Sequence, residues 1–330
     1  GVSPIRRQRL HLQVAEALEQ LHAGDLHKVN ARIAAHYRQA GEAARAATFY
    51  LHAARDMQFG YAYEETTTHL RQGLALLKGQ APAPENTALE IAMLLALGRV
   101  LTGSEGWGNA RVIETFEAAR RLCLATNNAA QLIRVQHYLQ IAYAESGDTP
   151  RALALAESTL ALATSLGDDD EVREAHGGLG LLLWCGGSFA AALPHLEQAA
   201  AMAAAAPEVQ ADAALALCYS GAFPYALVRW LLGYPDSARR YLQEVVAVQE
   251  PRASPFDRSS GYEFCVMFYH WSRDFEQMQV YAQKLLAVTQ EYEYEIYEWL
   301  GRLYVAAASA TLGDMTIGQE LLRQTIEAIM

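Results

Sequence analysis

The sequence predicts an all-α solenoid of helix pairs with a pitch of about 40 residues, and three observations carry that prediction. First, one window recurs: "ESGDTPRALALAEST" begins at Glu145, "CGGSFAAALPHLEQA" at Cys185, "LLGYPDSARRYLQEV" at Leu231, "WSRDFEQMQVYAQKL" at Trp271 and "TLGDMTIGQELLRQT" at Thr311, with steps of 40, 46, 40 and 40 residues. Second, the third residue of each window is Gly147, Gly187, Gly233, Arg273 or Gly313. Glycine there suits the left-handed backbone that ends a helix. Third, a mostly small residue follows (Ala152, Ala192, Ala238, Met278, Gly318), and four residues on come Ala156, Leu196, Leu242, Ala282 and Leu322. That spacing marks one face of a helix, where the small residue lets two axes approach and the larger one fills the gap beyond.

Upstream of each window, apolar residues at helical spacing supply a first helix, such as Val135, Tyr138, Leu139 and Tyr143, or Leu179, Leu182 and Leu183. Each repeat therefore reads as helix, turn, helix. The N-terminal stretch from Ser3 to Leu21 is expected to be a helical cap, and Gln39–Ala53 carries Gly41, Ala46, Tyr50 and Ala53 in phase with the later windows. The next pair is expected to turn at Phe59-Gly60-Tyr61. Ala81–Thr87 reads as a loop with an Asn/Thr cap signal, and Leu95–Ala119 as another pair with a longer turn. Inside the 46-residue step, Pro207 predicts a separate turn and Gly221–Pro224 a kink or break. Glu250–Ser260 reads as a second long loop. No stretch carries the Val/Ile/Thr alternation of a strand; "EYEYEIYEW" (Glu291–Trp299) comes nearest, and its place in the repeat favours helix. Residues 1–80 are expected to hold the cap and first helix pairs, and residues 81–330 a continuous solenoid.

Composition narrows the function. The 330 residues are 52% apolar, enough for a large core, and the formal net charge is −11. A nucleic-acid surface needs clustered Lys and Arg, whereas the basic pairs here are short and scattered, so no direct nucleic-acid partner is expected. No apolar run is expected to approach the ~18 residues needed to span a bilayer, no signal peptide is seen, and the cysteine pattern leads to an expected cytoplasmic location. Cys123, Cys185, Cys218 and Cys265 form neither a C-x-x-C pair nor a metal-ligand pattern with His, which fits reduced cysteines packed as small hydrophobes. The chain begins at Gly1, and a fragment of a longer protein is expected.

The small-large-small pattern of "RIAAHYRQAGEAARAATFYLHAA" (Arg32–Ala54) and "LGLLLWCGGSFAAALPHLEQAA" (Leu179–Ala200) resembles the tetratricopeptide repeat (TPR) family. The resemblance spans nearly the whole chain, though the pitch exceeds the family's usual ~34 residues. It implies a right-handed α-solenoid in which the first helix of each pair lines an inner groove. Arg6–Asp56 also resembles the junction that follows the nucleotide-binding and winged-helix parts of bacterial STAND-type signalling ATPases, including maltose-regulator-like activators. That implies a sensing or partner-binding arm, with a nucleotide-binding domain upstream in the same polypeptide and no Walker motif in this part.

Mapping first helices onto such a groove selects candidate residues. Trp184, Trp230 and Trp271 fall near the ends of first helices at spacings of 46 and 41 residues, and are expected along one edge of the groove. Phe223, Glu263, Met267 and His270 are expected nearby, with His137, Glu145 and Arg99 on earlier repeats. Tryptophans supply large contact areas and dominate binding hot spots, so the expected occupant is a peptide, protein or small effector. The competing reading is that each indole is core between repeats. A general protein-interaction scaffold without a small ligand is the alternative function, and an enzyme the weaker one.

Other motifs read as structural. The Gly186-Gly187 turn recurs at one phase, whereas a phosphate loop occurs once, after a strand and with a Lys. The ten histidines are dispersed without a His-x-x-x-His pair, so no metal is expected; no cofactor is expected either. "GDDDE" (Gly167–Glu171) reads as a loop whose Asp caps the next helix. Glu64-Glu65 reads as an exposed face, and Cys185 has His176 nine residues away, too far to activate it. No catalytic residue is assigned.

Overall fold

The structure, a computed structural model, describes residues 3–56, 63–80, 83–205, 221–251, 255–292 and 295–329. Among the described residues there are sixteen α-helices, one short 3-10 turn and no strand. The chain forms two compact units, Gly1–Leu155 and Ala156–Met330, with the boundary inside one helix.

The first unit contains α1 (Pro4–Leu21), α2 (Asn30–Ala40), α3 (Ala43–Asp56), α4 (Tyr63–Lys78), α5 (Pro84–Glu105), α6 (Ala110–Ala125), α7 (Ala129–Glu145) and the start of α8 (Thr149–Leu166). From α1 to α7 each helix packs on the next, and α3 also packs on α5. The second unit holds the rest of α8, then α9 (Asp169–Cys185), α10 (Phe189–Ala205), α11 (Ala222–Leu231), α12 (Pro235–Gln249), α13 (Pro255–Trp271), α14 (Phe275–Glu291), α15 (Glu295–Thr311) and α16 (Met315–Ile329). Here α9 packs on α11, α11 on α13 and α13 on α15, in addition to the partner within each pair. First helices therefore stack on first helices, which is the contact pattern of helical repeats. The starts of α8, α10, α12, α14 and α16 step by 40, 46, 40 and 40 residues, the spacing of the sequence windows.

The corners explain that spacing. Gly147, Gly187, Gly233 and Gly313 have φ of 87°, 76°, 91° and 103°, and Arg273 takes φ 57° at the equivalent place. After each, a backbone N–H reaches back over the helix end: Asp148 donates to Tyr143 at 2.9 Å, Ser188 to Leu183 at 2.8 Å, Tyr234 to Arg229 at 2.9 Å, Asp274 to Tyr269 at 2.9 Å and Asp314 to Ser309 at 3.0 Å. These are the six-to-one bonds of a left-handed helix stop, which satisfy carbonyls the helix leaves open. Gly41 and Asn127 close the α2 and α6 ends in the same way.

Past the corner, Ala152, Ala192, Ala238 and Met278 are buried, as are Ala156, Leu196, Leu242 and Ala282 four residues beyond them. Leu322, at the same phase on α16, is 38% exposed. Leu196 shows how tightly the pairs close: a Cβ on Gly180 would come within 2.5 Å of its side chain, and one on Gly221 within 2.7 Å.

A second device recurs in the first unit, a Tyr four residues before the left-handed residue and an Arg four after it. Tyr37 donates to Glu19 while Arg45 lies 4.1 Å over its ring and pairs with Glu16 and Glu19, each at 3.2 Å. Tyr143 donates to Glu117 at 2.6 Å, and Arg151 lies 4.2 Å over its ring and bonds the same carboxylate at 3.3 Å. Each set ties three consecutive helices. Burial, then the bond to Glu117, pushes the Tyr143 phenol up to about 12, so it stays a donor.

Several local expectations are met. Ser3 caps α1 by accepting from Arg6 N–H at 3.4 Å, and Asp168 caps α9 by accepting from Asp170 and Glu171 at 3.1 and 3.2 Å. Glu64 and Glu65 are exposed on α4. Gly221, at φ 75°, caps the start of α11 in the left-handed conformation. Others are corrected. The loops at Ala81 and Glu250 are shorter than expected, because α5 begins at Pro84 and α13 at Pro255. Proline's fixed φ suits a first helical turn, and the Thr87 and Ser259 hydroxyls bond back to Ala83 and Pro255 carbonyls at 3.1 and 3.0 Å. By length and composition α5 is apolar enough to cross a bilayer, against the expectation; its Ile91, Met93, Leu97, Val100 and Leu101 are buried in the first unit. The expected turns at Phe59–Tyr61 and Pro207 lie outside the described residues.

Candidate binding site

The second unit brings the three tryptophans together. Trp184 is the penultimate residue of α9, Trp230 the penultimate residue of α11 and Trp271 the last of α13. Because each first helix ends in a left-handed corner, each indole is delivered at the same end of its pair. The Trp271 ring centroid is 6.5 Å from that of Trp184 and 6.3 Å from that of Trp230, so Trp271 joins the other two. All three are half-buried and pack against the core formed by α11, α12, α13, α14 and α15.

Trp184 also meets Phe264 of α13, at 6.1 Å. Phe264 lies seven residues before Trp271, two helical turns, and so shares its face. Phe223, buried near the start of α11, stacks on Phe264 at 5.7 Å with the rings 7° from parallel. Thus Phe223 does not reach the surface itself but backs the ring that does. Met267 is half-buried on the same α13 stripe and packs on the same core. Such tilted and stacked contacts are the favoured geometries of aromatic rings. Phe264 was not among the expected residues; the signal was present in the i, i+3, i+7 relation of Phe264, Met267 and Trp271.

Two expected neighbours point elsewhere. His270 is exposed, and its ring lies 6.5 Å from Phe275 of α14, at the corner. Glu263 is half-buried and acts on Tyr304 of α15, whose phenol is pushed up first by burial and then by that carboxylate. Arg99, His137 and Glu145 belong to the first unit. There the Arg99 guanidinium lies 6.0 Å from the Tyr138 ring, which stacks between Trp107 and Phe116 at 6.2 and 5.3 Å. His137 approaches Gln140 at 3.4 Å on its own helix, and Glu145 ends α7.

Beside the indoles, Tyr225 and Tyr241 meet edge to face at 4.8 Å, and Arg229 lies 5.2 Å over Tyr225 while donating to its hydroxyl at 3.3 Å. The surface is an arrangement of indole, phenyl and thioether groups. What it offers is adhesion: wide apolar faces, and quadrupoles that attract planar or cationic groups.

The fold has relatives among solved structures. The apo quorum sensor NprR from B. thuringiensis superposes with a TM-score of 0.68 at 15% identity, over 100% of this chain and 89% of that one. The Rap conjugation gene regulator of plasmid pLS20, solved with the Phr* peptide, gives 0.63 at 15% identity over 89% and 75% of the two chains. TPR-like repeats of a putative kinesin light chain from Podospora anserina give 0.50 at 20% identity over 63% and 96%. No protein-family model matches the chain, and no curated protein matches it. The chain has the fold of TPR-like helical repeat proteins.

Proposed function

We propose that this chain is a non-catalytic recognition arm that binds a peptide, or an exposed segment of a partner protein, on the aromatic surface of its second unit. The observation that carries the reading is the meeting of Trp184, Trp230 and Trp271, three half-buried indoles from three successive first helices. Part of each indole stays exposed beside the core it packs on, and scattered surface tryptophans would not meet. Hot spots have this character: large rigid rings, partly desolvated and backed by a packed core. The similarity to a peptide-bound Rap regulator supports a peptide as the occupant.

The resemblance of Arg6–Asp56 to STAND-type ATPase junctions adds the context. In it the arm serves a cytoplasmic signalling ATPase or transcriptional regulator, and the bound peptide alters the equilibrium of an attached nucleotide-binding domain. A selection from a library of random short peptides tests the reading, followed by titration of the selected peptide against tryptophan emission. Trp230→Ala and Trp271→Ala should each weaken binding about 30-fold or more, a hot-spot loss of ~2 kcal/mol, with the helical circular dichroism unchanged. Binding that survives both substitutions moves the site off the aromatic surface.

A further inference from the structure

The fold assembles two histidine pairs that no sequence spacing announces. His176 of α9 and His195 of α10 have their Nδ1 atoms 3.0 Å apart, and His11 of α1 and His36 of α2 have theirs 2.9 Å apart. The ring centroids are 5.2 and 5.1 Å apart, well beyond the nitrogen separations, so in each pair the rings point at one another head-on. A metal ion shared at about 2.0–2.1 Å from each nitrogen would draw the rings into a V. Head-on nitrogens at this distance share a proton instead: one Nδ1–H donates and the other Nδ1 accepts.

We propose that the His176–His195 pair, with His11–His36 as its counterpart in the first unit, is an acid-sensitive latch joining the two helices of its pair. The latch needs one of its two facing nitrogens bare. A first added proton is taken at Nε2 and leaves the Nδ1 bond intact. A second places N–H against N–H between two cations, and the helices lose their tie. Burial opposes charge on His176 and His195, and His195 further opposes charge on His176. From outside the pair, Glu157 of α8 favours a proton on His195, while Arg32 of α2 opposes one on His36. The folded affinities lie below the ordinary value of 6.5, so the unfolded chain binds these protons first. Stability contributed by the latch is complete above that value and lost as pH falls below it.

The test needs no ligand and uses the whole chain. Long-range proton–nitrogen NMR of the imidazoles at about pH 7.5 should show one Nδ1–H per pair, and titration should show two coupled steps rather than two independent ones. Between about pH 7.5 and 5.5 the fall in melting temperature should shrink by about half in His195→Asn, which keeps a polar group at the Nδ position without titrating. Independent titration of the paired rings near the ordinary value, or an unchanged slope in His195→Asn, overturns the proposal. If His195→Asn does not fold, the NMR titration of the unaltered chain still decides it.

Discussion

Arg273 occupies a corner that glycine fills in the four equivalent windows, and its φ of 57° costs a side-chain-bearing residue what glycine avoids. Arg273→Gly should therefore stabilise the chain by about 1 kcal/mol, read as a higher denaturant midpoint at unchanged slope. The reverse change at Gly187, which has φ 76°, should cost a similar amount. At the same scale, Glu117 accepts from Tyr143 and from Arg151 and also pairs with Arg120 at 3.4 Å, so one carboxylate serves three helices. Glu117→Ala leaves a buried phenol and a guanidinium without their acceptor, and should lower stability by about 1–3 kcal/mol in chemical denaturation.

Leu196 sets the spacing of α9, α10 and α11. It is fully buried and fills the space that Gly180 and Gly221 leave open. Leu196→Ala should cost about 2–5 kcal/mol, transfer and cavity together. Gly180→Ala gains about 1 kcal/mol of helix propensity but drives a methyl into Leu196, where overpacking costs about 1–3 kcal/mol; the expected sum is a loss. Because contacts in a repeat stack are local, hydrogen exchange in Leu196→Ala should accelerate across α9–α11 and much less across α1–α6. Equal acceleration throughout would mean that the stack unfolds as one cooperative body.

For the whole molecule, the pH profile of stability should fall in two stages. The first begins below about pH 6.5, where His36, His176 and His195 resist protons that the unfolded chain accepts. The second involves Glu250, which accepts from Lys284 at 2.8 Å and from Tyr262 at 2.7 Å; these bonds, Lys284 first, hold its carboxyl below the usual 4.5. A depressed carboxylate stabilises the fold above its unfolded value, so this contribution disappears as pH drops through the folded one. Denaturant titrations across the acid range should show a plateau above about pH 6.5 and both declines, with the lower one reduced in Glu250→Gln.

The repeat, its helix pairs and its left-handed corners were legible because they depend on neighbours in the chain. A glycine, a small residue and an apolar residue at fixed offsets have local consequences that any window discloses. Similarly, the three indoles were placed at one end of their pairs by repeat phase alone. Tertiary structure decided what those residues meet. Trp184 touches Phe264 and Trp271, two pairs further on, where close approach at Gly180 and Gly221 lets α9, α10 and α11 draw together. The histidines of each latch lie 19 and 25 residues apart, and their alignment across two helices follows from the angle between axes. Those angles are set by how side chains interlock across the stack, a property of pairs of helices that no single stretch of sequence contains.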